Sequence, residues 1–229
     1  MFYDSENRAV KLACKKAEKS LEQSILSFED SKEINISAWW DKEPYNDYCV
    51  DTHSGKIVLE RLDEDYMTTE FKENIGEFRC YYFYKYDPQG DYLDIFDNAD
   101  AISGDLSVAI GTLMRSKKWE NVYNFSTGVL YIERFYIKPA FRGKKLGYLI
   151  FPVLVDVFSK RKDSIATIIP APLNDMVKDL GREEETLKGT LEYQLALTKM
   201  QGFIKKFGFK QLGNSEVWAA AVMDKGLVT

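Results

Sequence analysis

The sequence predicts a mixed α/β (α+β) domain, with a central mixed sheet and helices packed on both of its faces. Three observations carry the prediction. Strand-like runs come early and then alternate with helical ones, in the order strand, helix, strand, helix, strand. The run "GVLYIERFYIKP" at 128–139 is β-branched and aromatic on both alternating sets of positions, as in a strand buried on both sides at the centre of a sheet. The helical run that follows it is apolar nearly all round and so is also deeply placed.

Residues 5–28 place Val10, Cys14, Ala17, Leu21, Ile25 and Phe28 at steps of three and four, the spacing of an amphipathic helix, with Asp4 or Ser5 as its cap. "INISAWW" and "KIVLERL" read as short strands separated by a polar stretch that holds Pro44, Asn46 and Gly55. "EFRCYYFYKY", at 77–86, is a stronger strand, closed by the turn signal "DPQGD". Its tyrosines, Tyr81, Tyr82, Tyr84 and Tyr86, fit core and sheet-face packing better than an acceptor pocket. "SGDLSVAIGTLM", at 103–114, returns to helical spacing through Leu106, Ala109, Ile110 and Leu113. After the central strand a helix runs to about Lys160, and Pro152 inside it removes one ladder bond and predicts a kink. "SIATIIP", at 164–170, is the next strand, followed by a long helix over 185–207 that ends on Lys205, Lys206 and then Gly208. "SEVWAAAVM", at 215–223, supplies a last strand. The organisation is an N-terminal helical or extension segment at 1–55, integral to the fold or appended to it, and a main domain at 56–229.

With 229 residues, 45% hydrophobic, 14% aromatic and 29% charged, the chain has the composition of a globular protein able to build a large core. Its formal net charge of −5 argues against general nucleic-acid binding, which works by neutralising phosphates with basic side chains. Cys14, Cys49 and Cys80 form no CxxC pair and leave one over from any disulfide, which predicts reduced thiols and a cytoplasmic location. His53 is the only histidine, so neither a histidine-rich zinc site nor any other metal is expected. "MFYDSENRAVK" lacks the basic-then-apolar build of a signal peptide, and no run of about 18 apolar residues predicts a membrane span.

Against that balance one segment stands out. Arg142, Gly143, Lys144, Lys145 and Gly147 gather where the central strand gives way to a helix, in a chain with 36 acidic against 31 basic residues. The first turn of a helix presents unpaired N–H groups and about half a positive charge. A glycine-containing turn lets backbone approach a phosphate, and basic side chains add charge-assisted bonds. The spacing fits neither G-x-x-x-x-G-K-[ST] nor G-x-G-x-x-G. The same residues fit a solvated basic turn capping a core helix, or a site for some other phosphate ligand.

"IERFYIKPAFRGKKLGYLIF" resembles motif A of the GNAT superfamily of acyl-CoA-dependent N-acyltransferases, with Ile137, Pro139, Arg142, Gly143, Leu146 and Gly147 where that pattern expects them. Lys145 replaces its usual glycine. "FIKKFGF", at 203–209, is similar to the family's late helix and its aromatic ending, and the likeness covers roughly residues 125–225. It implies a central mixed sheet with splayed central strands and acetyl-CoA as co-substrate. The pyrophosphate would lie on the 142–147 amides, beside Arg142, Lys144 and Lys145, with Leu146 and Gly147 opening the helix. The pantetheine arm would run along Phe135, Tyr136 and Ile137.

The implied activity is N-acetyl transfer to an amine, borne by a small molecule or a protein. Glu133 is the base candidate: by alternation it shares a strand face with Val129, Tyr131, Phe135 and Ile137, apolar neighbours that favour a carboxylate's neutral form. A bulge, which the resemblance implies, would alter that phase. An ion pair with a nearby Lys or Arg is the equal alternative for Glu133. Many relatives place an acidic tyrosine where this chain has Ile204; Tyr193 lies about three turns away, and His53 is a remote substitute on a loop. A catalytically silent member, binding acyl-CoA or a protein partner, is therefore the second reading. Oligomeric state is open, a homodimer included.

Overall fold

The computed structural model describes residues 10–11, 34–44, 50–62, 69–86, 90–159, 163–172, 184–187, 189–223 and 226–227. Among them nine strands form one mixed sheet: β1 (Val10–Lys11), β2 (Ile34–Pro44), β3 (Val50–Leu62), β4 (Thr69–Tyr84), β5 (Gly128–Ile137), β6 (Ser164–Ile168), β7 (Lys210–Gln211), β8 (Trp218–Met223) and β9 (Gly226–Leu227). Their order is β1-β2-β3-β4-β5-β6-β8-β7, with β9 also on β8. Every pairing is antiparallel except β5 with β6. A parallel pair needs a crossover, and α4 (Leu146–Phe158) supplies it.

The sheet divides the interior into two cores. On one face, Ile57, Phe78, Cys80, Tyr82, Leu130 and Ile132 pack against α4 and against Ile204 of α6 (Leu191–Lys205). The apolar periodicity of α4 explains its depth: Leu146, Ile150, Phe151, Leu154, Val155 and Phe158 are all buried. Phe151, 1% exposed, lies at the centre of this packing, and truncating such a residue to alanine costs about 3–5 kcal/mol. On the other face, Val50, Tyr81, Phe83, Val129, Tyr131 and Ile165 pack against α1 (Ile95–Ile102), α2 (Gly104–Met114) and α3 (Glu120–Phe125). Helices thus lie on both faces, as the doubly apolar central strand predicts.

Local chemistry sets the helix ends. Asp94 accepts from the Phe96 and Asp97 amides, Ser103 from Leu106, and Thr190 from Tyr193. At the end of α3, the buried Lys85 ammonium donates to the Tyr123 and Asn124 carbonyls and lies 4.2 Å from the centre of the Tyr123 ring. It satisfies carbonyls that the helix leaves open.

Several expectations are corrected. Val10 and Lys11, expected in a helix over 5–28, pair with Ala38 and Ser37 as β1; the rest of that span lies outside the described residues, apart from these two. β2 and β3 are longer than the short strands expected, and Gly55 is an interior strand residue paired with Trp40 and Phe78. β3 runs through residues 55 and 56, which accords with the alternative that the N-terminal segment is integral to the fold. The helix expected over 185–207 is broken: α5 (Glu184–Leu187) ends before Gly189, whose φ of +82° takes the chain out of helical geometry, and α6 restarts at the Thr190 cap. His53, expected on a loop, is buried on β3 with its ring 4.8 Å from that of Phe158. No helix among the described residues is long and apolar enough to cross a membrane.

Candidate functional site

β5 carries the features of the site in sequence. Its pairing with β4 slips by one residue: Arg79 faces Arg134, yet Cys80 faces Ile132. Glu133 is the extra residue, a β-bulge. Before it, Val129 and Tyr131 face the α1–α3 core while Leu130 and Ile132 face α4; after it, Phe135 and Ile137 pack on the α4 side. The expected single face shared by Glu133, Val129, Tyr131, Phe135 and Ile137 is therefore corrected. Phe135 and Ile137 are on the opposite side, because one inserted residue inverts a period of two. A cavity of about 10 Å³, lined by Phe78, Leu130, Ile132 and Phe158 among others, lies beside the slip; that is space for roughly one water.

Glu133 itself is solvent-accessible. Its side chain is 37% exposed, and Oε2 lies 3.5 Å from Arg79 Nε. The ion-pair alternative is the one this geometry contains. The apolar environment expected for the carboxylate is absent, because the bulge turns it to the open side of the sheet. Arg134 is paired in the reverse sense, its Nε 3.0 Å from Glu77 Oε1. Beneath them Tyr131 is 3% exposed. Burial first, then the negative charges of Asp105 and Glu133 and the neighbouring Tyr81, hold its phenol well above the ordinary range.

Past the bulge β5 leaves β6. The parallel pairing ends at Ile132–Ile168, while β5 continues to Ile137, so among the described residues the edge of 133–137 on that side has no strand partner. A 3₁₀ turn at Pro139–Phe141 then leads to the basic segment. Gly143 has φ +80° and Lys145 φ +60°, ψ 6°, both left-handed. Lys145, where the sequence motif has glycine, is thus held in the conformation that favours glycine. It stands at the N-cap of α4 without a side-chain capping bond. Tyr148 N–H bonds back to the Lys145 carbonyl and begins the α4 ladder, so the amides of Lys145, Leu146 and Gly147 precede it.

Each expected contact residue has a definite place. Arg142 is tied down, its Nε donating to the Ile137 carbonyl at 2.7 Å and its guanidinium 5.2 Å from the centre of the buried Tyr136 ring. Lys144 Nζ lies 5.3 Å from the Phe141 ring centre. Leu146 is buried in the core, whereas Gly143 and Lys145 are exposed. Gly147 faces aromatic rings: a Cβ there would sit 3.4 Å from Phe203 and 3.7 Å from Phe135. Phe135, Phe151, Phe203 and Phe207 form a cluster linking β5, α4 and the end of α6, with Phe135 stacked on Phe203 at 6.2 Å.

Ile204 is 1% exposed within this packing and cannot exchange a proton. Tyr148, 38% exposed, rests against Phe203 and Phe207, and Lys206 Nζ lies 5.0 Å from its ring centre. Lys206, the C-cap of α6, therefore stands against the first turn of α4. Sequence reasoning used it only as a helix-end cation, and it missed Arg79 and Glu77, whose roles depend on strand register. Among the described residues no group of three His, Cys, Asp or Glu side chains is placed to hold a metal.

No protein-family model, no curated protein and no solved structure matches the chain. The functional reading rests on the geometry of β5 and its turn.

Proposed function

We propose that the chain is an acyl-CoA-dependent N-acetyltransferase of the GNAT type, transferring an acetyl group from acetyl-CoA to an amine. The observation that carries this reading is the succession on one strand of a bulge at Glu133, a parting from β6 after Ile132, and a turn capped by left-handed Lys145. The residues present fit a coenzyme A pyrophosphate: three amides precede the α4 ladder, Arg142, Lys144 and Lys145 belong to the turn that leads to them, and Lys206 stands against Tyr148 in the first turn of α4. The open edge of 133–137 offers backbone groups to an extended amide-bearing arm. Acetyl-CoA supplies an activated acyl carbonyl and a thiolate leaving group.

The chain's own contribution is orientation and proton movement. Holding two reactants in line is worth about 7–11 kcal/mol in favourable cases. Glu133, exposed beside the parting strands, accepts a proton from the attacking amine directly or through water, an effect worth about 10²–10⁴-fold. Tyr148, at the start of α4, is the exposed hydroxyl nearest the basic turn along the chain and a candidate to protonate the departing thiolate.

A second reading, a catalytically silent acyl-CoA or protein binder, is favoured by buried Ile204 and by the aromatic cluster closing around Gly147. Free-thiol release from acetyl-CoA over an amine panel separates the two. Turnover supports the enzyme; a melting-temperature rise with acetyl-CoA but no thiol release supports the silent binder; neither effect overturns both.

A further inference from the structure

The open sheet face beside Glu133 is arranged by charge. Arg79 and Arg134 are direct cross-strand partners, and both project away from the α4 core, since Phe78 and Phe135, one residue along, face it. Like charges directly opposite on one face are destabilising. Each arginine is offset by one glutamate from the other strand: Arg79 by Glu133 at 3.5 Å, Arg134 by Glu77 at 3.0 Å. Both pairs are accessible, with side chains 50% and 37% exposed in the first and 32% and 36% in the second, so each is a weak, solvent-screened pair. Across β3 to β5 the same face carries Lys56, the register partner of Glu77, and Arg142 from the turn lies over Tyr136. Among these described residues four cations stand with two carboxylates.

We propose that the amine acceptor is a zwitterion, carrying a carboxylate or phosphate that binds Arg79 and Arg134 while its ammonium approaches Glu133. This rests on the acyltransferase reading and adds the substrate class to it. A bidentate arginine–oxyanion contact is stronger than the loose Arg79–Glu133 pair it replaces. The acceptor's anion takes Arg79, and Glu133 becomes free to receive a proton. The ammonium gives one proton to Glu133, its nitrogen forms the amide bond to the acetyl carbon, and the carbon–sulfur bond breaks. The nitrogen's second proton leaves as the amide forms, and the thiolate departs with the sulfur electron pair to be protonated. Because Glu133 returns its proton to solvent, the sum is ammonium plus thioester giving amide, thiol and one proton.

The test measures thiol release from acetyl-CoA with matched acceptors: L-amino acids against their amides, and phosphoethanolamine against ethanolamine. The anionic member of at least one pair is expected to have the higher kcat/KM by about tenfold or more, the size of one charged hydrogen-bonded contact. The two series tell a carboxylate from a phosphate. Arg79→Gln and Arg134→Gln, each checked for an unchanged melting temperature, should remove that preference. Equal or better use of the uncharged members by the wild-type protein overturns the proposal and leaves the acyltransferase reading standing. A preference that survives both substitutions overturns the assignment to these arginines. No thiol release with any member overturns the acyltransferase reading itself, and this inference with it.

Discussion

Replacing Lys145 by glycine should stabilise the protein. The residue holds φ +60°, ψ 6° at the start of α4, and an L-residue in left-handed geometry carries about 1–2 kcal/mol of steric cost. Its side chain is exposed and makes no capping bond, so little is lost with it. Glycine relieves the steric cost but adds unfolded-state freedom worth about 0.4–1 kcal/mol. The net gain is about 0.5–1 kcal/mol, or roughly 1–4 °C in Tm for a chain of this size. Lys145→Ala is the control, since it removes the same charge and keeps the strained geometry. Thermal and urea unfolding, followed by circular dichroism, should rank Lys145→Gly above both wild type and Lys145→Ala. Both variants should bind acetyl-CoA more weakly by calorimetry, because both lose a cation beside the proposed pyrophosphate position. If the glycine variant is no more stable than the alanine variant, backbone strain at this turn is not what the dihedral angles imply.

Gly76→Ala should destabilise by several kcal/mol, about the cost of overpacking or more, because its Cβ would lie against the Tyr136 carbonyl oxygen, which belongs to the backbone and has little freedom to move; urea titration measures the loss. Lys85→Met should cost about 1.5–3 kcal/mol by the same measurement, since it strips the charged donor from the Tyr123 and Asn124 carbonyls at the end of α3. Burial holds the Cys80 thiol far above its ordinary 9.0. Folding stability from that group is thus complete below pH 9 and falls as the unfolded thiol ionises, by about 1.4 kcal/mol per pH unit; Cys80→Ala should flatten the alkaline slope even though it lowers stability at neutral pH. Glu133→Gln should lower kcat about 10²-fold or more if proton removal limits the rate, while acetyl-CoA affinity stays nearly constant; an unchanged kcat with the same acidic limb in the pH–rate profile would leave positioning as the remaining source of catalysis.

Features that depend on near neighbours were readable in the sequence. The helix at 103–114 appears as Gly104–Met114, because Leu106, Ala109, Ile110 and Leu113 form a helical stripe. The central strand is legible from its density of β-branched and aromatic residues. The bulge within it was implied only by the resemblance, because a strand apolar on both faces has no alternation for an inserted residue to interrupt. The break before α6 had a local signal in Gly189 and Thr190, a positive-φ position followed by a capping side chain. The Arg79–Glu133 and Arg134–Glu77 pairs depend on a register between strands roughly 50 residues apart, and no local pattern contains that information. The left-handed backbone at Lys145 was hidden by the residue itself, since lysine gives no hint of a conformation that glycine would have advertised.

The extra residue in β5 also governs which kinds of genetic change this strand tolerates. Upstream of Glu133 the odd-numbered side chains belong to one core, and downstream they belong to the other. Substitutions near position 133 alter one contact at a time. Deletion of that single codon would instead close the bulge, leaving Arg134 opposite Arg79, Ile132 opposite Cys80, and Phe135 and Ile137 still on the α4 face. Insertion of one residue elsewhere between 129 and 137 would invert the phase a second time. The strand is therefore a reading frame in space, in which length is constrained more tightly than composition. Natural variation in β5 should consist of exchanges of residue, and gains or losses should be confined to position 133 and to the turns at the strand's two ends.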